Sequence, residues 1–135
     1  MIAAILLALP TAWNREEASR TVGLRTFPLV SLGACAYILV GEAFIGLENA
    51  DAMARVMQGL MTGMGFIGGG AILKDDDRVR GTASAASIWI AGALGVACAI
   101  QLWILAIILS ILNFLVIFIL DLIKPQIETR DGGKH

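Results

Sequence analysis

Three small groups of polar side chains could carry chemistry in this otherwise apolar chain. The first group lies just before and at the start of two apolar segments: Arg15, Arg25, Thr26, Arg80, Gly81 and Thr82. A helix begins with free backbone N–H groups and the positive end of its dipole, and arginine can donate two parallel hydrogen bonds to phosphate or carboxylate. Threonine favours the N-cap position, so Thr26 and Thr82 are predicted to cap the two helices. The pattern predicts a site for an anion or a partner.

The same arginines have a simpler explanation. They could fix the topology of the chain, contact lipid headgroups, or pair with nearby carboxylates, of which Glu16 and Glu17 are the first. The sequence leaves both explanations open.

The second group is a run of three carboxylates, Asp75, Asp76 and Asp77. Adjacent carboxylates can hold Mg²⁺ while the ion keeps several of its waters. Lys74 and Arg78 neutralise the run, and its spacing enforces no ligand geometry. A solvated turn is therefore favoured over a dedicated metal site.

The third group is Glu42, Arg55 and Gln58, which lie on either side of a short polar loop. A carboxylate within an apolar helix is costly without a partner. Glu42 and Arg55 are expected at similar depths on consecutive helices, and Gln58 follows Arg55 by about one turn. The favoured interpretation is a structural ion pair, and the alternative is a titrating acid in an ion or proton path.

No enzymatic machinery is present in the sequence. The only histidine is His135, and the chain has no serine nucleophile with a base, no C-x-x-C pair, no phosphate-binding loop and no cofactor fingerprint. We therefore expect a protein that is not an enzyme and that carries no cofactor.

The elements that must position these residues are apolar. The chain has 135 residues, of which 58% are hydrophobic, and a mean hydropathy of +0.81, more than a soluble domain of this size could bury. Five apolar segments cover residues 1–13, 27–47, 52–73, 82–101 and 102–123. They predict an all-α integral membrane protein, a compact bundle of about five transmembrane helices of which the first is short. Residues 1–123 would form the transmembrane domain and residues 124–135 a short cytoplasmic tail.

The basic residues orient this bundle. Nine of the ten lysines and arginines fall in the two loops and the tail that share one side, and only Arg55 falls on the other. The positive-inside rule then places the N-terminus outside and the C-terminus in the cytoplasm. Because the basic residues are dispersed over short loops, they do not form a patch for nucleic acid.

Small residues mark the predicted packing faces of the third and fourth helices. The residues expected at close contacts are Gly59, Gly63, Gly65, Gly69, Ala91 and Gly95. Such spacings let helix backbones approach each other in a membrane. Packing of the third helix on the fourth is the favoured interpretation, and a seam between copies of the chain is a compatible alternative. The fifth helix is bulky nearly all round, so it is expected to face lipid.

The sequence resembles the MgtC/SapB family of membrane proteins over most of residues 14–101. The resemblance rests on three runs: Asn14-Arg15 with Gly23-Leu24-Arg25-Thr26, then Gln58-Gly59 with Thr62-Gly63-Met64-Gly65-Phe66-Ile67-Gly68-Gly69-Gly70, then Val79-Arg80-Gly81 with Ala85-Ala86-Ser87, Trp89 and Gly95. Asn14 departs from the family pattern, which has an acidic residue there, and the first helix is shorter. The chain resembles the short form of the family, without the C-terminal soluble domain.

The resemblance implies a bacterial inner-membrane protein linked to growth at low magnesium and, in some bacteria, to virulence. Proteins of this type resemble regulators more than pumps, and some act by restraining the ATP synthase. The partners so implied are membrane lipids, further copies of the chain, and another inner-membrane complex such as ATP synthase. An oligomeric ion channel or transporter is the alternative.

Overall fold

A computed structural model describes residues 1–19, 22–46, 48–75 and 78–131 of the protein. Within these residues the chain forms five α-helices and one two-stranded hairpin. In chain order they are α1 (Ile2–Ser19), α2 (Thr26–Ile45), α3 (Ala50–Gly70), β1 (Leu73–Asp75), β2 (Arg78–Arg80), α4 (Thr82–Ala99) and α5 (Trp103–Asp131). The prediction of a bundle of five helices is confirmed.

Three of the helices, α2, α4 and α5, are long and apolar enough to cross a membrane. α1 and α3 carry more polar residues or glycine. The structure therefore shows a predominantly helical fold with three helices that could cross a membrane, and the number of transmembrane helices stays a prediction.

α4 lies at the centre of the bundle and α5 at its outside. α4 buries the largest share of its residues, whereas the apolar surface of α5 is mostly exposed. That exposure agrees with the prediction that the fifth helix faces lipid, which stays a prediction. α4 crosses α2 at Gly95, where a Cβ would lie 2.9 Å from the Cβ of Ala34 and would overlap the backbone oxygen of Ser31. The absence of a side chain at Gly95 therefore sets how closely the two central helices approach.

α1 is longer than the sequence predicted. It continues past Trp13 to Ser19, so its 18 residues span about 27 Å at 1.5 Å per residue. The prediction stopped at the first polar residues, but Asn14 and Arg15 continue the helix because their side chains lie where polar partners are available. α1 packs into the bundle through an alanine stripe, Ala4, Ala8 and Ala12, in which each residue is buried.

The segment between α3 and α4 also differs from the prediction. It forms an antiparallel hairpin in which Leu73 faces Arg80 and Lys74 faces Val79, whereas the sequence predicted that the third segment continues to residue 73 and is followed by a solvated turn. Gly81, at the end of the hairpin, adopts φ 86°, a left-handed conformation that glycine accepts without steric cost. The hairpin thus brings the chain directly into α4.

The predicted threonine caps are wrong. The N-cap positions of α2 and α4 are Arg25 and Gly81, and neither makes a side-chain cap hydrogen bond. Thr26 and Thr82 are the first residues inside the helices, because the turn before each helix already has helical or left-handed backbone angles. At the other end of the chain, α5 continues past the predicted boundary at Ile123 to Asp131.

Candidate functional site

The most buried charged group of the described residues is Arg15, which is 5% exposed. Its guanidinium forms an ion pair with the carboxylate of Asp121 on α5 and donates to Oδ1 of Asn14 at 2.9 Å. The Asp121 side chain is 40% exposed, so the pair has one buried and one half-open partner. This pair joins the first helix of the chain to the last.

A series of polar contacts continues from this pair into the apolar part of the bundle. Nδ2 of Asn113 donates to Oγ1 of Thr11 at 3.2 Å, and the hydroxyl of Ser87 donates to Oδ1 of Asn113 at 3.2 Å. Deeper still, the hydroxyl of Ser110 donates to the backbone oxygen of Leu7 at 2.6 Å. We call the side chains of Thr11, Arg15, Ser87, Ser110, Asn113 and Asp121 the polar ladder.

Helix geometry explains why these side chains meet. Thr11 and Arg15 are four residues apart on α1, and Ser110, Asn113 and Asp121 follow one another on a single face of α5. Away from water, a hydrogen bond between helices replaces an otherwise unsatisfied polar group. The polar ladder therefore fixes the register of α1 against α5 and α4.

A groove of about 430 Å³ opens beside the polar ladder between α4 and α5. Its lining is mostly apolar, but Ser87, Asn113 and Asp121 contribute polar surface. The polar ladder thus connects helices inside the bundle and also forms part of an accessible surface.

The predicted anion site is not assembled as the sequence suggested. Arg15 is engaged by Asp121 rather than pointing toward Arg25 and Arg80, both of which are exposed. The N–H groups of Thr26 and Phe27 already donate to the oxygen of Gly23, at 3.1 and 3.2 Å. What remains of the prediction is two exposed arginines, Arg25 and Arg80, each next to the start of a helix.

A carboxylate holds the described part of the loop before α2 through a backbone N–H group. Oε2 of Glu16 accepts the backbone N–H of Leu24 at 3.0 Å. Glu16 thereby contributes to the position of the chain just before Arg25.

The aspartate run lies mostly outside the described residues. Asp75 ends β1, where its backbone lies opposite that of Arg78 in the hairpin register, whereas Asp76 and Asp77 are not described. The weak metal site predicted for Asp75, Asp76 and Asp77 stays a prediction.

The predicted pairing of Glu42 with Arg55 is wrong. Among the described residues the one ion pair is Arg15 with Asp121. The neighbour of Glu42, Gly41, is the α2 residue that faces α3, since a Cβ there would lie 3.3 Å from the sulfur of Met53. Successive helical residues are about 100° apart, so Glu42 turns away from α3 and from Arg55.

Gln58 follows Arg55 by three residues on α3, as the sequence predicted. Arg55 lines a groove between α2 and α3, whereas Gln58 lines a second groove, next to Trp89 of α4. Matched depth along two helices did not pair Glu42 with Arg55, because depth does not fix the direction in which a side chain points.

The packing predictions are confirmed in part for α4 and are wrong for α3. Ala91 and Gly95 are buried, as expected, but Gly95 contacts α2 rather than α3. Four glycines of α3 have no neighbouring atom within 4 Å of an added Cβ, so the prediction that they make close contacts within the chain is wrong: Gly59, Gly63, Gly65 and Gly69. α3 instead packs through Met53, Met64 and Gly68, and the glycine surface is left open.

Sequence reasoning missed Asp121 and Asn113. A signal was present, because Arg15 and Asp121 both lie near the last turns of helices predicted to run in the same direction. Three of the polar residues of the fifth segment, Ser110, Asn113 and Asp121, also share one helical face. That stripe marks the side of α5 that faces the bundle.

Comparison with known proteins agrees with this architecture. The model of the MgtC family matches residues 1–126. Protein SrpB of Synechococcus elongatus is 34% identical over 119 residues, which cover 80% of this chain and 65% of that protein. Protein MgtC of Salmonella typhimurium is 34% identical over 98 residues (73% of this chain and 41% of that protein), and Protein MgtC of Brucella abortus is 36% identical over 96 residues (70% and 39%).

The chain thus spans between 39% and 65% of the length of these curated relatives. No solved structure matches it. The family model covers nearly all of the chain, and the relatives share about a third of the aligned residues. The protein is therefore a bacterial membrane protein that belongs to the MgtC family.

Proposed function

We propose that this chain is a regulatory or interaction protein of the bacterial inner membrane, linked to magnesium homeostasis or to membrane energetics. The observation that carries the proposal is the polar ladder, in which Arg15 is paired with Asp121 and Asn113 is bonded to both Thr11 and Ser87. Polar groups that satisfy one another hold helices in register and are less available to exchange a moving ion. The resemblance to MgtC/SapB proteins supports the same reading.

The proposed protein is not an enzyme and needs no cofactor. Its sole histidine, His135, is the last residue, and the sequence contains no nucleophile with a base. We therefore propose that the protein acts by binding its partners.

The proposed partners are membrane lipids, a second copy of the chain, and another inner-membrane complex such as ATP synthase, with no role for nucleic acid. Two open glycines of α3 outside the groove that Arg55 lines, Gly65 and Gly69, support a second copy or another complex, because a bare helix surface lets another helix approach closely.

The proposed location is the inner membrane, with the N-terminus outside and the C-terminus in the cytoplasm. Its support is the asymmetry of the lysines and arginines, of which only Arg55 falls on the outer side.

An oligomeric ion channel or transporter is the alternative function. One observation favours it: Glu42 is half-buried within α2 and is not paired with Arg55. An acid in that position is a group that an ion or a proton could use.

Reconstitution of the purified protein separates the two functions. If the protein is a regulator, liposomes that contain it should show no more flux of Mg²⁺, K⁺ or protons than empty liposomes. Expression of the protein in a bacterium that lacks its own family member should nevertheless change growth at low magnesium or ATP-driven proton pumping. A flux that Glu42→Gln abolishes while the fold is kept would replace the proposed function with the transporter.

A further inference from the structure

A groove of about 490 Å³ runs along the outside of the bundle between α2 and α3. Glycines from both helices form its floor: Gly33 on α2, and Gly59 and Gly63 on α3. A Cβ added at any of the three would meet no atom within 4 Å. The groove therefore exists because side chains are missing on both walls, and the remaining lining, including Val30, Val56 and Ile67, is apolar.

Arg55 lies at one end of this groove. It is in the second turn of α3, about 8 Å from the first residue of the helix at 1.5 Å per residue. Its guanidinium is exposed and makes no ion pair or hydrogen bond with the described part of the chain. Tyr37, from α2, lines the same groove and offers a phenol as a second donor.

The chemistry of the groove selects its occupant. A second copy related by a twofold axis along α3 would bring the same surface to face itself, so Arg55 would meet the partner's Arg55 in a medium where like charges repel strongly. An anionic phospholipid instead brings a phosphate to the guanidinium and an acyl chain to the apolar floor. Arginine is well suited to the phosphate because of its planar, paired donors.

We propose that the groove between α2 and α3 binds one anionic phospholipid, with its phosphate on Arg55 and an acyl chain along Gly33, Gly59 and Gly63. This ligand is additional to the proposed regulatory role and does not depend on it. The binding orders a lipid against α3, which has three buried residues in the described structure.

The test is retention of lipid by the purified protein. Protein from nanodiscs that hold phosphatidylglycerol and phosphatidylcholine in equal amounts is released into mild detergent, and the lipids still bound are counted by native mass spectrometry. The wild type should retain about one phosphatidylglycerol per chain. Arg55→Gln should retain about fivefold less, since one basic residue near a membrane surface contributes roughly that factor to the binding of anionic lipid.

Two matched controls locate the site. Lys74→Gln removes an exposed basic residue from the hairpin and should leave retention unchanged. Gly63→Leu fills the groove and should reduce retention, whereas Gly69→Leu, on the same helix and in equally open space but not in the lining, should not. Circular dichroism of each variant verifies that the helices are intact.

Three outcomes would overturn the proposal. Equal retention of phosphatidylglycerol by Arg55→Gln and the wild type would show that Arg55 does not bind the phosphate of the lipid. Equal retention of phosphatidylcholine by the wild type removes the requirement for an anionic lipid. Efficient cross-linking of Gly63→Cys to a second chain in native membranes assigns the groove to a copy of the protein. None of these results bears on growth at low magnesium or on ion flux, so failure here is distinct from failure of the proposed function.

Discussion

The guanidinium of Arg15 on α1 pairs with the carboxylate of Asp121 on α5, 106 positions later in the chain. The arginine side chain is 6% exposed, whereas that of the aspartate is 40% exposed. Loss of either partner therefore has unequal consequences: an Asp121 without Arg15 can turn to water, but an Arg15 without Asp121 stays enclosed.

This asymmetry gives the first prediction. Asp121→Ala should destabilise the protein more than Arg15→Ala, by about 2 kcal/mol against about 1, because breaking a fully buried pair costs about 3–5 kcal/mol and this pair is half exposed. SDS-induced unfolding followed by circular dichroism measures both values. The double variant Arg15→Leu/Asp121→Leu should be more stable than Asp121→Ala, and Asp51→Asn, at an exposed residue of α3, is the near-silent control. Equal losses for the two single variants would contradict the asymmetry.

Three glycines should respond differently to alanine. At Gly95 the new Cβ would overlap the backbone of Ser31, which cannot move aside, so the loss should be several kcal/mol. At Gly92 it would meet the end of Met64, which is flexible, so the loss should be smaller. At Gly63 it meets nothing, so the change should be neutral or should stabilise by up to about 1 kcal/mol through helix propensity. Thermal unfolding in detergent ranks the variants, and similar losses at Gly63 and Gly95 would show that another helix covers Gly63.

The contact between Thr11 and Asn113 should appear as a coupling energy. In the double-mutant cycle of Thr11→Val and Asn113→Leu, we expect a coupling of about 0.6 kcal/mol, the average for hydrogen bonds between membrane helices, and at most about 1.7 kcal/mol. A matched cycle of Thr11→Val with Leu112→Ala, at an exposed neighbour on α5, should give none. If the changes in the free energy of unfolding of the two single variants add up to that of the double variant, the hydrogen bond does not contribute to stability.

The two exposed arginines test what remains of the anion site. If Arg25 and Arg80 bind a phosphate or a carboxylate, the double variant Arg25→Lys/Arg80→Lys should lose function although its charge is unchanged, because lysine lacks the paired donors of arginine. Growth at low magnesium in a strain that depends on this chain measures the loss. Arg78→Lys, in the same hairpin, is the control. Full growth of the double lysine variant would leave the arginines with a topological role only.

The topology can be tested with reporter fusions. Because nine of the ten basic residues share one side, a reporter after His135 should be cytoplasmic and one inserted at residues 48–51 should be external. An insertion at residues 76–77 should match the C-terminus. If the reporter at residues 48–51 and the reporter after the C-terminus lie on the same side of the membrane, α3, α4 and α5 cannot each cross the membrane once.

The sequence by itself determined the number of helices and their approximate places in the chain, and it identified the chain as a membrane protein, although it did not fix where each helix ends. Apolar runs of fixed length are a property of local composition, and the family motifs are local as well, so both could be recognised without knowledge of the contacts. Gly95 was also identified as a packing residue, because a small residue on the crowded fourth helix has few other uses.

Only the tertiary structure decided which surfaces meet. The same glycine signal marked Gly95, which contacts α2, and Gly63, which contacts nothing, because a missing side chain permits an approach without specifying what approaches. The same reasoning about depth paired Glu42 with Arg55 and overlooked Arg15 with Asp121. Depth follows from position along a helix, but the direction of a side chain depends on the rotation of that helix in the bundle, which contacts distant in sequence determine.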